Sequence, residues 1–185
     1  AASVYYLPIR TRMPLKFGPE ITTEVTCARV RVTVEDARGR RAEGWGETPL
    51  SVQWVWPSAL SYEERHQVLR KLTTQIAEAW AERPGEPGHP VEVGDRFLES
   101  QLPDLLAEFN DDERPNAEPV PWLAALVCAS AFDLAVHDAY GVLHGVPTYE
   151  TYNAQFMNAD LDEYLEAAEG SGVSFEGRYP EEFLV

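Results

Sequence analysis

Ala129-Ser130-Ala131-Phe132-Asp133-Leu134-Ala135-Val136-His137-Asp138-Ala139-Tyr140-Gly141 is the stretch on which the fold turns. Extended in both directions it is a helix. Pro121 suits a first turn, and Gly141, Gly145 and Pro147 mark the end. Ala125, Ala129, Phe132, Val136 and Leu143 form one stripe, and Ser130, Asp133, His137 and His144 another on the opposite side. Ala124, Ala131, Ala135 and Ala139 are small enough for neighbouring elements to come close. A helix apolar around most of its circumference belongs at the centre of its domain.

Upstream, the chain begins with strands. Ser3 to Thr11 alternates loosely, with Tyr5, Leu7 and Ile9 on one side. Thr26 to Glu35 alternates cleanly: Thr26, Ala28, Val30, Val32 and Val34 point one way, Cys27, Arg29, Arg31, Thr33 and Glu35 the other. Such a period of two marks a strand with one buried face. Asp36-Ala37-Arg38-Gly39 is a turn, and Arg41 to Glu47 returns as the hairpin partner. Gly44 and Gly46 share a face of that strand, which permits close packing against something bulky.

Between strands and central helix lie two further helical patterns. Ser61 with Glu64 reads as a capping box ahead of Leu69, Leu72, Ile76 and Trp80. The run Arg83-Pro84-Gly85-Glu86-Pro87-Gly88 breaks that helix. Phe97, Leu98, Leu102, Leu105, Leu106 and Phe109 form the next, kinked or restarted at Pro103. The class is α+β: a three-stranded antiparallel meander followed by a three-helix bundle. Beyond Tyr149 the pattern weakens. Thr151 to Phe156 is read as a strand and Asp160 to Ala168 as a short helix. Neither can bury its own apolar face, so this tail must lean on something else.

Composition excludes some partners. The chain of 185 residues carries 31 Asp and Glu against 15 Lys and Arg, a net charge of −16. Phosphate binding needs clustered Lys and Arg, so nucleic acid is not an expected partner. No uninterrupted apolar run of about 18 residues occurs, so no membrane span is expected. Cys27 and Cys128 are the only cysteines and form no CxxC or disulfide framework, which points to a reducing compartment and a cytoplasmic location.

Three motifs in order carry a resemblance. Pro14-Leu15-Lys16-Phe17-Gly18 follows the first strand, Gly44-Trp45-Gly46-Glu47-Thr48-Pro49 ends the third, and Ala129 to Gly141 is followed by Gly145-Val146-Pro147-Thr148-Tyr149. Together they resemble the N-terminal capping domain of the enolase superfamily, in its mandelate racemase and muconate lactonizing enzyme branch. The resemblance implies a cap over residues 1–148 and the start of a (β/α) barrel over residues 149–185. It implies an intact enzyme that removes a proton α to a carboxylate, as a Mg²⁺-dependent racemase, epimerase, cycloisomerase or dehydratase. The small carboxylate substrate, the Mg²⁺ and the catalytic base would all be held by the barrel. The Lys-x-Lys base motif and the spaced metal carboxylates do not follow residue 150, so no catalytic residue and no metal ligand is assigned in this chain, which alone is expected to be silent. Family members are often oligomeric, which leaves a homo-oligomer open.

The resemblance further implies two loops that shape the substrate pocket, Met13 to Glu24 and Thr48 to Ser58. Their candidate substrate-facing residues are Lys16, Phe17, Ile21, Thr22, Trp54 and Trp56. For the two tryptophans, packing on the helices is an equal alternative. Asp133 and His137, at i and i+4 near Ser130, could be two metal ligands or a pair that satisfies buried polar groups; with no third ligand in view the pairing is preferred. Glu43 and Glu47 are expected to pair with Arg29 or Arg31 across the hairpin. His66 and His89 are expected to be solvated. Two other functional classes stay open. One is a free-standing acidic module that binds a protein through the Trp54–Trp56 loop and the tail. The other is a small hydrolase or lyase built on Asp133 and His137.

Overall fold

The computed structural model describes residues 1–17, 20–82 and 87–184. Its first three elements are β1 (Ala2–Phe17), β2 (Glu20–Glu35) and β3 (Arg41–Pro49), antiparallel in the order β1-β2-β3. The alternation in β2 does what its period requires: Ala28, Val30 and Val32 are buried beneath the helices. The register places Val4 opposite Val30 and Tyr6 opposite Ala28, so Val4 and Tyr6 join the core face. Tyr5, opposite Arg29, faces outward with Trp45, 5.9 Å between ring centres. Glu47 meets the Arg29 guanidinium at 2.6 Å and Glu43 that of Arg31 at 3.7 Å, the cross-strand pairing expected of them.

Of the segment expected as a loop from Met13 to Glu24, the described residues 13–17 and 20–24 are strand. β1 and β2 run on past the core as a two-stranded ribbon, with a register shift between Arg10 and Leu15 and pairing resumed at Leu15–Thr22 and Lys16–Ile21. A ribbon of this kind is held by backbone ladder bonds rather than by one buried face, so it leaves no period of two in its sequence.

The helices are α1 (Val52–Val55), α2 (Tyr62–Glu82), α3 (Pro90–Arg96), α4 (Leu102–Glu113) and α5 (Trp122–His144). Ser61 Oγ accepts from the Glu64 N–H at 3.2 Å, half of the expected capping box. The Glu64 carboxylate accepts from Arg114 at 3.3 Å. Residues 83–86 of the expected breaker run lie outside the described residues. Between α3 and α4 the chain makes one π turn, Phe97–Gln101, closed by the Leu102 N–H on the Phe97 carbonyl. Pro103 is the cause: it has no N–H for the helical ladder, and the chain winds wider ahead of it before α4 restarts. Pro121 sits just before the first turn of α5, at the N-cap.

α5 is central, as its composition requires. Cys128, Phe132, Ala124 and Ala125 are fully buried in the core cluster with Leu69, Leu72, Ile76 and Trp56. Its length and composition would suffice to cross a membrane, but half of its most apolar stretch is buried inside this domain. Its other buried face meets β3. A Cβ at Gly44 would stand 2.1 Å from the Ala139 nitrogen, and one at Gly46 would stand 2.0 Å from the Ala131 carbonyl oxygen. Glycine on the strand and alanine on the helix let two backbones touch.

The tail departs from the sequence reading. In place of a strand over Thr151 to Phe156 there is a 3₁₀ turn at Thr148–Thr151 followed by further turns, and in place of a helix over Asp160 to Ala168 a second 3₁₀ turn at Leu161–Glu163. A strand persists by pairing; here Thr151 instead meets His89 at the start of α3, and Tyr152 and Phe156 turn to His137, Tyr140 and His144 of α5. Thr151 and Met157 are buried.

Candidate functional site

The residues that sequence reading assigned to substrate loops fall into two places. Leu15, Lys16, Ile21 and Thr22 occupy the far part of the β1–β2 ribbon. Lys16 is exposed, and Ile21 is 64% exposed. Thr22 turns inward, its Oγ1 buried and without a hydrogen-bond partner. The Phe17 side chain lies outside the described residues.

Trp54 and Trp56 lie on and after α1 and face opposite ways: Trp54 is 53% exposed and Trp56 1%. Packing on the helices, the alternative weighed for this pair, is what Trp56 does. Its Nε1–H donates to Glu118 Oε1 at 2.7 Å, its carbonyl accepts from the buried Arg65 at 2.5 Å, and the Arg114 guanidinium lies 5.2 Å from its ring centre. Ser58 Oγ donates to the other Glu118 oxygen at 2.6 Å. These hydrogen bonds hold the Glu118 carboxyl below its usual range. Two buried arginines and one carboxylate thus fasten the segment that follows β3. Sequence reading assigned no role to Arg65, Arg114 or Glu118: Arg114 and Glu118 are remote in the chain from the segment they fix, and Arg65, nine positions from Trp56, carries no motif that marks its side chain as turned inward.

A second polar constellation lies where α3, α5 and the tail meet. His137 Nδ1 and the Tyr152 hydroxyl are 2.7 Å apart, and His137 Nε2 stands 3.7 Å from Asp133 Oδ1. The pairing reading of Asp133 and His137 therefore describes what the structure holds: a helical pair that also engages the tail. Burial lowers the His137 pKa while Asp133 pulls it back, and burial raises the Asp133 carboxyl. Ser130 takes no part; its hydroxyl donates to the Val127 carbonyl.

The expectation that His89 is solvated fails. It is 1% exposed and forms the N-cap of α3, its Nδ1 accepting from the Val91 N–H at 3.2 Å. Its Nε2 lies 3.0 Å from Thr151 Oγ1, and its ring meets those of His137, Tyr140 and Tyr152 edge-on. Beside it, Glu92 accepts from four N–H groups: His89 N, Asn158 N, Asn158 Nδ2 and Ala159 N, the shortest at 2.5 Å. Burial alone would raise the Glu92 pKa, but these bonds outweigh it and hold it below its usual range. The sequence did offer a signal, since Pro90 and Glu92 stand at the first and third positions of a capped helix. Histidine is simply not a customary N-cap residue. His66 is likewise buried, stacked on Tyr62.

A cleft of about 360 Å³ opens beside this cluster, between the free edge of β3 and α5, lined by Trp45, Glu47, Asp133, His137, Asp138, Tyr149 and Tyr152 among others. Asp138 closes part of that edge by accepting the Trp45 N–H at 2.8 Å. Mg²⁺ does not fit the residues present. Among the described residues no three His, Cys, Asp or Glu side chains gather as ligands. Of the one candidate pair, His137 has Nδ1 committed to Tyr152, and its other nitrogen is a poor donor for a hard cation that prefers oxygen.

Among solved structures the chain is similar to a mandelate racemase/muconate lactonizing enzyme-like protein from Rubrobacter xylanophilus, at 18% identity and a TM-score of 0.42, over 82% of this chain and 32% of that one. It is also similar to a mandelate racemase/muconate lactonizing protein from Herpetosiphon aurantiacus, at 15% identity and a TM-score of 0.39, over 83% of this chain and 34% of that one. The chain spans about a third of the length of either structure. No family model and no curated protein matches it.

Proposed function

We propose that this chain is the N-terminal capping domain of an enolase-superfamily enzyme of the mandelate racemase and muconate lactonizing type. One observation carries the reading. Two of the three motifs that bear the resemblance, separated by about eighty residues in the sequence, are locked together backbone to backbone, Gly44 and Gly46 against Ala131, Ala135 and Ala139. A shared motif order would be weak support by itself; motifs that interlock at contact distance act as one structural unit.

In this reading residues 1–148 are the cap and residues 149–185 lead toward the barrel. The ribbon and the segment after β3 shape the pocket of a small carboxylate substrate, with Lys16, Phe17, Ile21, Thr22 and Trp54 at its rim and Trp56 bracing the second segment from within. The barrel brings Mg²⁺ and the base that removes the α-proton. The intact enzyme works as a racemase, epimerase, cycloisomerase or dehydratase in the cytoplasm. The purified 185-residue chain is then inert. Incubated with Mg²⁺ in deuterated water, it leaves the α-protons of mandelate, muconolactone and simple sugar acids unexchanged. Exchange catalysed by this chain alone would refute the reading. So would a reading frame that closes at Val185, since a barrel needs roughly 200 or more further residues.

A further inference from the structure

We propose that His89 is a proton-operated latch: neutral, it holds the segment from Thr148 onward against α3 and α5, and on protonation it lets that segment go. The inference is independent of the enzyme family.

The geometry fixes the state of the ring. The Val91 N–H donates to His89 Nδ1, so Nδ1 must carry a lone pair. The one ring proton is then on Nε2, where it donates to Thr151 Oγ1, and the Thr151 O–H in turn donates to the Thr148 carbonyl at 2.6 Å. Every polar atom is satisfied in this one neutral tautomer. A second proton would go to Nδ1, directly opposite the Val91 N–H. Two donors would face each other with no acceptor between them, so the ring would be driven off the α3 terminus, and in moving it would carry its Nε2–H away from Thr151 Oγ1.

The surroundings offer such a charge little compensation. From α5 the ring is faced by His137, Tyr140 and His144, and from the tail by Tyr152. Glu92 on α3 favours the charged ring, but its oxygens are committed to Asn158, Ala159 and the His89 backbone N–H. Arg96 stands on the same helix, and Asp133 faces His137. Burial first, then His137 and His144, bring the His89 pKa down to about 4 from 6.5. His137 differs: given a second proton it can still donate to the Tyr152 oxygen, because a hydroxyl rotates.

The sign follows from linkage. The released segment frees His89 to bind a proton at its ordinary pKa, whereas the latched form binds it only in stronger acid. Falling pH between 6.5 and about 4 therefore favours release. The Glu92 carboxyl, held low, stays ionised through most of that window. The segment is suited to local opening. Past Met157 none of its described residues is buried, and it holds only short 3₁₀ turns.

Hydrogen exchange on the full chain, corrected for intrinsic rates, tests the latch from about pH 7 to about pH 4.5. Amides of residues 152–184 should lose about tenfold or more of their protection while those of α2 and β2 keep theirs. His89→Asn supplies an oxygen for the Val91 N–H and cannot titrate, so its tail protection should not change over the same range. The proposal is overturned if wild-type protection is flat, if the tail and α2 loosen together, or if H89N retains the wild-type pH dependence. Should H89N be open already at neutral pH, the NMR titration of the wild-type His89 ring decides. A midpoint that coincides with loss of tail protection supports the latch; an ordinary midpoint with the tail still protected overturns it.

Discussion

Two tryptophans separated by one residue show how little residue type says about role. Trp54 and Trp56 share a segment, a composition and a hydrophobic index, yet one is half exposed and the other buried with its N–H bonded to Glu118. Truncation should separate them sharply. Trp56→Ala removes a large core side chain, together with the N–H that Glu118 accepts and the ring against which Arg114 lies, so urea denaturation should show a loss of about 3–5 kcal/mol. Trp54→Ala removes only partly covered surface and should stay within about 0.5 kcal/mol. Equal losses for the two variants would mean that the segment after β3 is not fastened in this way. The His89 environment teaches the same lesson from the other side. A histidine in a Pro-Gly stretch reads as solvated, and nothing in its local sequence announces that Thr151, sixty-two positions later, will sit on its Nε2. Long-range polar partners leave no periodic trace, which is why this cluster was not legible while the i, i+4 pair Asp133–His137 was.

The elements that were legible are those whose burial leaves a repeating apolar or small-residue pattern along the chain. β2 alternates because one face is core and the other carries Arg29 and Arg31; α5 announces itself because its small and apolar residues cover two buried faces. The ribbon beyond Arg10, the seven-residue α3 and the turns after Pro147 were not, because ladder bonds, a cap and side-chain ties hold them rather than an apolar stripe. The contact between β3 and α5 was half legible. Two glycines on one strand face implied a close neighbour, and the alanines implied a close approach, but only the structure matches them to each other. Gly44→Ala and Gly46→Ala should each be costly, since the obstructing atoms are backbone and cannot rotate away. A loss of about 2–3 kcal/mol or more is expected, read as a fall in Tm of roughly 5–10 °C. Gly39→Ala is the control: an added Cβ would meet only the flexible Glu35 side chain, at an ordinary 4.0 Å, and the cost is that of its φ of +77°. Its cost should be nearer 1 kcal/mol. If G46A melts with the wild type, sheet and central helix are not in backbone contact.

At the scale of the whole molecule, charge decides more than any pair. Ion pairs such as Arg29–Glu47, Arg41–Glu35 and Arg178–Glu182 lie at the surface with side chains a third or more exposed, and contacts of that kind contribute about 0–1 kcal/mol each. Even were every lysine and arginine paired, the net charge of −16 would leave sixteen carboxylates uncompensated. Two opposing salt effects follow. Screening weakens the attractive pairs, and it also weakens the diffuse repulsion among the excess carboxylates, which the compact state feels more than the unfolded chain. With attraction limited to short-range surface pairs and repulsion summed over the whole surface, repulsion should dominate. Raising NaCl from about 0.02 to about 0.5 M, which shortens the screening length several-fold, should therefore stabilise the chain by about 1–2 kcal/mol. For a chain of this size that is a rise in Tm of roughly 3–6 °C. A Tm that falls with salt would show instead that the Arg–Glu ladder on the outer face of the sheet outweighs the net charge.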